Sequence, residues 1–347
     1  MMIVRKCRVW DPWPSKMMPW AIAALLFACG DDGRKVDVSG YEVEVPIVRL
    51  DKALFNADAD RMDEVNARLA QEHGSFYRTY VETILQGPPM EDPQLPLMLA
   101  QFITDPDWQA TQRSVDSVLG DLGPQQALFD MAFSRLKALF PDSLTPRIYA
   151  FNSGFNYGIV PTDSVLGIGL EWFIGADHPV IGMLAPERFP QYVKDRMRPD
   201  LLVPSAVKGW LLVHYTRDIR GADLLTHLVE TGKVMALQDA LLPELASDLK
   251  FTFTQEQMDW CGPNEQNIWK QLVEGEMLFS TNEEVIGRIM NDGPFTPGFP
   301  RESPGHIGEY IGARMVQSYL ADHPEVSLAD LFAIEDPNTI LKSYKPR

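Results

Sequence analysis

Two apolar runs decide how this chain folds: Pro146-Arg147-Ile148-Tyr149-Ala150-Phe151-Asn152 and Val165-Leu166-Gly167-Ile168-Gly169-Leu170-Glu171-Trp172-Phe173. Each has the length and composition of a strand. Between them lies Ser153-Gly154-Phe155-Asn156-Tyr157-Gly158, whose Gly and Asn content marks a turn. Together they predict a β-hairpin with Asn152, Gly154 and Asn156 at its turn, because Asn and Gly tolerate left-handed backbone. Upstream, the alternation of Tyr41-Glu42-Val43-Glu44-Val45 predicts a first strand. From Leu50 to Leu85 apolar residues recur at three and four spacings, and further helices are expected over Trp108 to Leu119 and Pro124 to Phe140. After Pro199 the pattern is helical almost to the end. Breaks are expected at Gly221, Gly232, Pro243, Cys261-Gly262-Pro263 and a Pro/Gly loop from Gly293 to Gly305. Thr254 with Gln257, and Ser327 with Asp330, have capping-box spacing. The expectation is one α+β domain over residues 41–347, predominantly helical, with a small antiparallel sheet.

The 347 residues carry 31 Lys plus Arg against 48 Asp plus Glu, a net charge of −17. Binding to nucleic acid needs clustered cations facing phosphates, so this composition argues against a nucleic-acid partner. Arg5, Lys6, Arg8 and Lys16 precede an uncharged run from Met17 to Ala28, which has the length of a signal-peptide core rather than of a spanning helix. The run ends in Leu26-Phe27-Ala28-Cys29-Gly30, which resembles the lipobox of bacterial lipoproteins. That resemblance implies cleavage after residue 28, acylation of Cys29, and residues 29–40 as a flexible tether. Several acyl chains, at about 0.8 kcal/mol per buried CH₂, hold a soluble domain at a membrane where one does not. The mature chain would carry a charge of about −20, since residues 1–28 contribute a net +3. Cys7 is then lost and Cys29 lipidated. Cys261 alone remains in the domain, where it reads as a small buried hydrophobe, and no intrachain disulfide can form.

Enzyme constellations are sparse. Ser153-Gly154 and Ser205-Ala206 lack the nucleophile-elbow pattern, and Gly167-Ile168-Gly169 lacks the third Gly of a dinucleotide loop. No cofactor is implied. The charges instead divide: Arg188 to Arg220 holds a net +4, whereas residues 221–285 hold a net −9. Either the two stretches pair within the fold, or one docks a partner. For the second case Arg196 and Arg198 are candidates on the basic side, Asp259 and Glu265 on the acidic side.

Several motifs, in this order along the chain, carry a resemblance to a family: Phe129-Asp130-Met131-Ala132-Phe133, the Phe151 to Tyr157 segment, Gly167 to Glu171, Trp260-Cys261 with Asn264-Glu265 and Ile268-Trp269, Pro304-Gly305-His306-Ile307-Gly308, and the terminal Ile340 to Pro346. With the lipobox they resemble the gliding-motility lipoprotein GldB family. The resemblance implies an outer-membrane lipoprotein needed for surface movement, with protein components of the gliding or type IX secretion machinery as partners. It also implies a distant similarity to zinc proteases with an HExxH helix and hence a metallopeptidase-like fold. The corresponding segment here is Trp210-Leu211-Leu212-Val213-His214-Tyr215-Thr216-Arg217-Asp218. His214 and Asp218, four apart, would share a helix face, and Glu274 or Glu276 could supply a third ligand. Tyr215 stands where the general-base Glu belongs, Asp218 replaces the second His, and Arg217 adds positive charge. A metal-bound water without a base hydrolyses poorly, so the site reads as degenerate and the protein as a pseudoenzyme without metal. Two rival readings stay open: an anchored metal-dependent hydrolase and a solute-binding lipoprotein.

Overall fold

The computed structural model describes residues 36–347. The expected signal peptide, the lipobox with Cys29 and the first part of the tether lie outside the described residues. The fold is α+β, mostly helical, around a four-stranded sheet. The strands are β1 (Ile47–Arg49), β2 (Arg147–Phe151), β3 (Ile159–Pro161) and β4 (Val165–Gly169), in the order β1-β2-β4-β3. Both long apolar runs contain strands, β2 and β4, and these are neighbours, but they run parallel, with Tyr149 opposite Gly167 and Ala150 opposite Ile168. β1 joins β2 in parallel, and β3 alone is antiparallel, to β4. The sheet is therefore mixed rather than antiparallel. The chain rises along β2, crosses at residues 152–158, descends along β3 one place further out, and rises again along β4 in the slot left between.

The expected turn does reverse the chain, yet the strand it leads into is Ile159–Pro161, too short and too interrupted by proline to read as one. The tight connection sits at Thr162 to Ser164, where the Thr162 N–H donates to Val165 O at 2.8 Å. β2 and β4 are buried on both faces, the environment in which parallel strands become continuous apolar runs. Alternation sorts their side chains. Tyr149 and Phe151 pack with α1 (Leu50–Phe55), α2 (Met62–Thr79) and α3 (Leu95–Thr104), while Ile148 and Ala150 belong to the larger core on the other face.

Residues 41–45 are not a strand. α4 (Pro106–Leu119) and α5 (Gly123–Leu139) form as expected, and the segment entering β1 lies along α5. The N–H groups of Val43, Val45 and Ile47 donate to Ser134 Oγ, Asp130 Oδ1 and Gln126 Oε1 at 2.9, 2.8 and 3.0 Å. Gln126 Nε2 donates in turn to Val45 O and Asp130 Oδ1. Two residues of extended chain advance about 6.6 Å and four residues of helix about 6 Å, so the rungs stay in step. The alternation in the sequence is real, but its hydrogen-bond partner is a row of helix side chains.

The remainder is helical: α6 (Pro179–Met183), α7 (Gln191–Lys194), α8 (Leu202–Tyr215), α9 (Leu224–Leu241), α10 (Ser247–Phe251), α11 (Gln255–Glu274), α12 (Glu283–Met290), α13 (Ile307–Asp322), α14 (Leu328–Ala333) and α15 (Pro337–Leu341). Both expected capping boxes are present, at Thr254 and Ser327. Two expected breaks are not. Gly232 lies inside α9, where a Cβ would collide with the Gly312 carbonyl of α13, and a Cβ on Gly312 would strike Leu228 O. The glycine allows a close helix crossing rather than ending a helix. α11 runs unbroken through Pro263, because Gly262 and Pro263 face solvent, where water can serve the freed carbonyl, while Cys261, Glu265, Ile268 and Leu272 hold the opposite face in the core. Burial pushes the Cys261 thiol up to about 12, so it is an inert packing residue.

Candidate functional site

Residues 152–158 leave the carboxyl end of β2, and the turn of 3₁₀ helix at Leu170–Phe173 leaves the carboxyl end of its parallel neighbour β4. This places Glu171 under the loop. Glu171 is fully buried, and its Oε1 accepts from the Ser153 N–H at 2.8 Å, the Phe155 N–H at 3.0 Å and the Ser153 hydroxyl. Ser153 Oγ also accepts from the Asn156 and Tyr157 N–H groups. One carboxylate thus fixes a loop in which Gly154 and Phe155 both have positive φ, 64° and 58°. The backbone donors converge as in an anion nest, with the anion supplied by the protein.

The three expected turn residues meet here. Asn152 is buried, its Oδ1 accepts from the Gly154 N–H at 3.0 Å, and its carbonyl accepts from Tyr80 OH at 2.8 Å. A Cβ on Gly154 would touch the Trp108 ring. Asn156 donates to Ile84 O and accepts from Arg188. The loop is thereby stitched to both faces of the sheet. Burial raises the Glu171 carboxyl to about 7, with the donors from Ser153 and Phe155 pulling the other way. Glu171 Oε2, Asn152 Nδ2 and Trp172 Nε1 have no hydrogen-bond partner among the described residues. Neither Ser153 nor Glu171 was a candidate from the sequence; the available signal was a lone carboxylate in the apolar run Leu166 to Ile174.

The metal-site residues do not come together. α8 ends at Tyr215 and Thr216 is extended, so Asp218 lies beyond the helix and shares no face with His214. The His214 ring stacks on Trp210, and its nitrogens face the Trp210 and Asp163 carbonyl oxygens at 2.9 and 3.2 Å. Asp218 pairs with Arg220, and Glu274 faces Lys270 at 3.7 Å. Tyr215 packs between Phe140 and Phe332. Among the described residues no group of three or more His, Cys, Asp or Glu is placed to hold a metal ion.

The basic stretch is largely consumed inside the fold. Arg196 pairs with Asp292 at 2.6 Å and lies over the Tyr192 ring, Arg198 faces Asp200 at 3.2 Å, Lys208 pairs with Glu309, and Arg217 with Glu230. Burial opposes ionisation of Asp292, yet the His306 hydrogen bond and the Arg196 guanidinium outweigh it and hold its carboxyl well below the usual range. The cleft where Arg196 and Arg198 meet Phe253 encloses about 40 Å³, room for water rather than a solute. Glu265 is not a surface residue: it is buried, accepts from Arg314 Nε at 2.9 Å and from Tyr344 OH at 3.1 Å, and so ties the C-terminus to α11. Asp259 is exposed and, among the described residues, accepts from Gln255 of its own helix.

No helix among the described residues is long and apolar enough to cross a membrane. No curated protein and no solved structure matches the chain. A family model described as gliding motility protein GldB matches residues 31–346. The match takes in the Glu171-centred loop, the α5 ladder and the Glu265 anchor alike, and by it the chain belongs to the GldB family of gliding motility proteins.

Proposed function

We propose that this chain is a noncatalytic lipoprotein of the cell envelope, held at the outer membrane by acyl groups on Cys29, that supports gliding motility and the associated type IX secretion machinery by docking its domain onto protein components of that machinery. In this reading residues 1–28 are removed, residues 29–40 are the tether, and residues 41–347 are the working domain. The observation that carries it is the family match over residues 31–346. The noncatalytic part is supported by the side chains themselves: both His214 nitrogens face backbone carbonyls, Asp218 is off the helix, and the Ser153–Glu171 pair is sealed under its loop. Its test is complementation of a strain lacking the gene. His214→Ala and Asp218→Ala should restore gliding as well as the parent sequence does, and the purified domain should hold no stoichiometric zinc. Tight metal that both substitutions abolish, together with lost gliding, would favour the hydrolase.

A further inference from the structure

α11 ends at Glu274, and the chain turns through Gly275 and Glu276, whose φ is +52°. Beyond this turn the backbone is fixed rather than loose. The Leu278 carbonyl accepts from the Leu225 N–H at 2.8 Å and the Ser280 carbonyl from the Leu224 N–H at 3.0 Å, so the backbone on either side of Phe279 is bonded to the first turn of α9. Leu278 is buried in the core whereas Phe279 is 63% exposed, and Val273 in the last turn of α11 is 47% exposed. An exposed aromatic on a pinned backbone loses little beyond its own rotamer freedom when it inserts into a pocket, and aromatics are enriched among the residues that carry binding energy.

The charged residues of the 273–284 segment are all acidic. Glu276, Glu283 and Glu284 are exposed and make no ion pair among the described residues, while Glu274 faces only Lys270. Asn282 Oδ1 accepts from the Glu284 N–H at 2.8 Å, capping α12 and fixing the two glutamates at its start. Carboxylates repel both nucleic acid and anionic lipid surfaces. The basic 188–220 stretch of a second copy offers little in return, because Arg196, Lys208 and Arg217 are engaged within the fold. We infer that the 273–284 segment is a docking surface for a protein that presents an apolar pocket bordered by Lys or Arg, with Phe279 as the anchor. The inference builds on the proposed docking role and gives it a location, away from Asp259 and Glu265.

The test uses the full-length lipoprotein in its own cells, with a benzophenone amino acid at position 279. Irradiation should yield one protein adduct. That adduct should fall at least about tenfold when Glu276, Glu283 and Glu284 are changed to Lys, and should persist with Asp259→Lys. The corresponding Gln set should show the same ordering, which guards against a folding defect in the reversal. Phe279→Ser should abolish gliding at normal abundance and melting temperature. No protein adduct, an adduct with lipid or with a second copy, or one indifferent to the charges would overturn the surface. If deletion of the gene abolishes gliding but Phe279→Ser glides normally, the surface falls and the gliding role stands. If the deletion strain itself glides, the gliding role falls and the crosslink alone decides the surface.

Discussion

Glu171 concentrates much of the local free energy of the site, because one buried oxygen serves three donors that would otherwise be unsatisfied. Its carboxyl is raised to about 7 in the folded chain, against an ordinary value near 4.5. A group with a raised folded pKa contributes stability that is fully present below the unfolded value and is lost as pH rises through the folded one. Glu171 should therefore favour the fold near pH 4.5 over pH 8, by as much as about 3 kcal/mol, against the opposite contributions of Asp292, His73 and His227. Glu171→Gln should flatten that part of the profile, and urea titrations of both proteins across the range check it; parallel profiles would refute the assignment. Ser153→Ala should cost about 1–3 kcal/mol, since it strips the hydroxyl that both feeds Glu171 and accepts from Asn156 and Tyr157. Gly154→Val should be costly for a different reason, the positive φ and the Trp108 ring. The turn chemistry of Asn152, Gly154 and Asn156 was legible in the residue types. The carboxylate beneath them was not, because nothing local to Glu171 says that a loop some eighteen residues earlier will close over it.

The elements were legible where a pattern is periodic and long, and obscure where a partner is tertiary. α4, α5 and both capping boxes follow from spacing alone. β3 escapes because three residues with a proline carry no period, and without β3 the two apolar strands look like a hairpin instead of parallel neighbours. The 41–45 segment has strand alternation, but the N–H groups of Val43, Val45 and Ile47 end on Gln126, Asp130 and Ser134 of a helix, a pairing visible in the sequence only as an i, i+4, i+8 polar row. That row carries a prediction. Asp130→Ala orphans the Val45 N–H and should cost about 1–3 kcal/mol while exposing residues 41–47 to protease; unchanged protease resistance would show that the row is incidental. The glycine crossing of α9 on α13 carries another. Gly312→Ala should destabilise by several kcal/mol, because the colliding atom is the Leu228 backbone carbonyl and cannot swing aside as a side chain could; equal melting temperatures for the variant and its parent would contradict the packing.

At the scale of the molecule, the basic stretch is mostly paired within the fold, but among the described residues only Arg217–Glu230 joins it to the acidic stretch, while Arg196 and Lys208 reach Asp292 and Glu309 beyond it. Arg196→Glu would set a carboxylate against Asp292, and should lower the melting temperature and abundance, with any motility defect tracking the loss of protein. That separates the basic stretch from the 273–284 surface, where reversals should leave the fold intact. The family membership rests on a match over residues 31–346, and His214 and Asp218 share no helix face because α8 stops before Asp218. Central to the proposed role is an anchored domain that works where its lipid holds it. In a strain lacking the gene, the parent sequence and Cys29→Ala, expressed at equal abundance, should be compared for membrane fractionation and for gliding on a surface. The parent should sediment with membranes and restore gliding, whereas Cys29→Ala should wash free and fail to restore it. A Cys29→Ala protein that is free of membranes and still restores full gliding would contradict the anchored role.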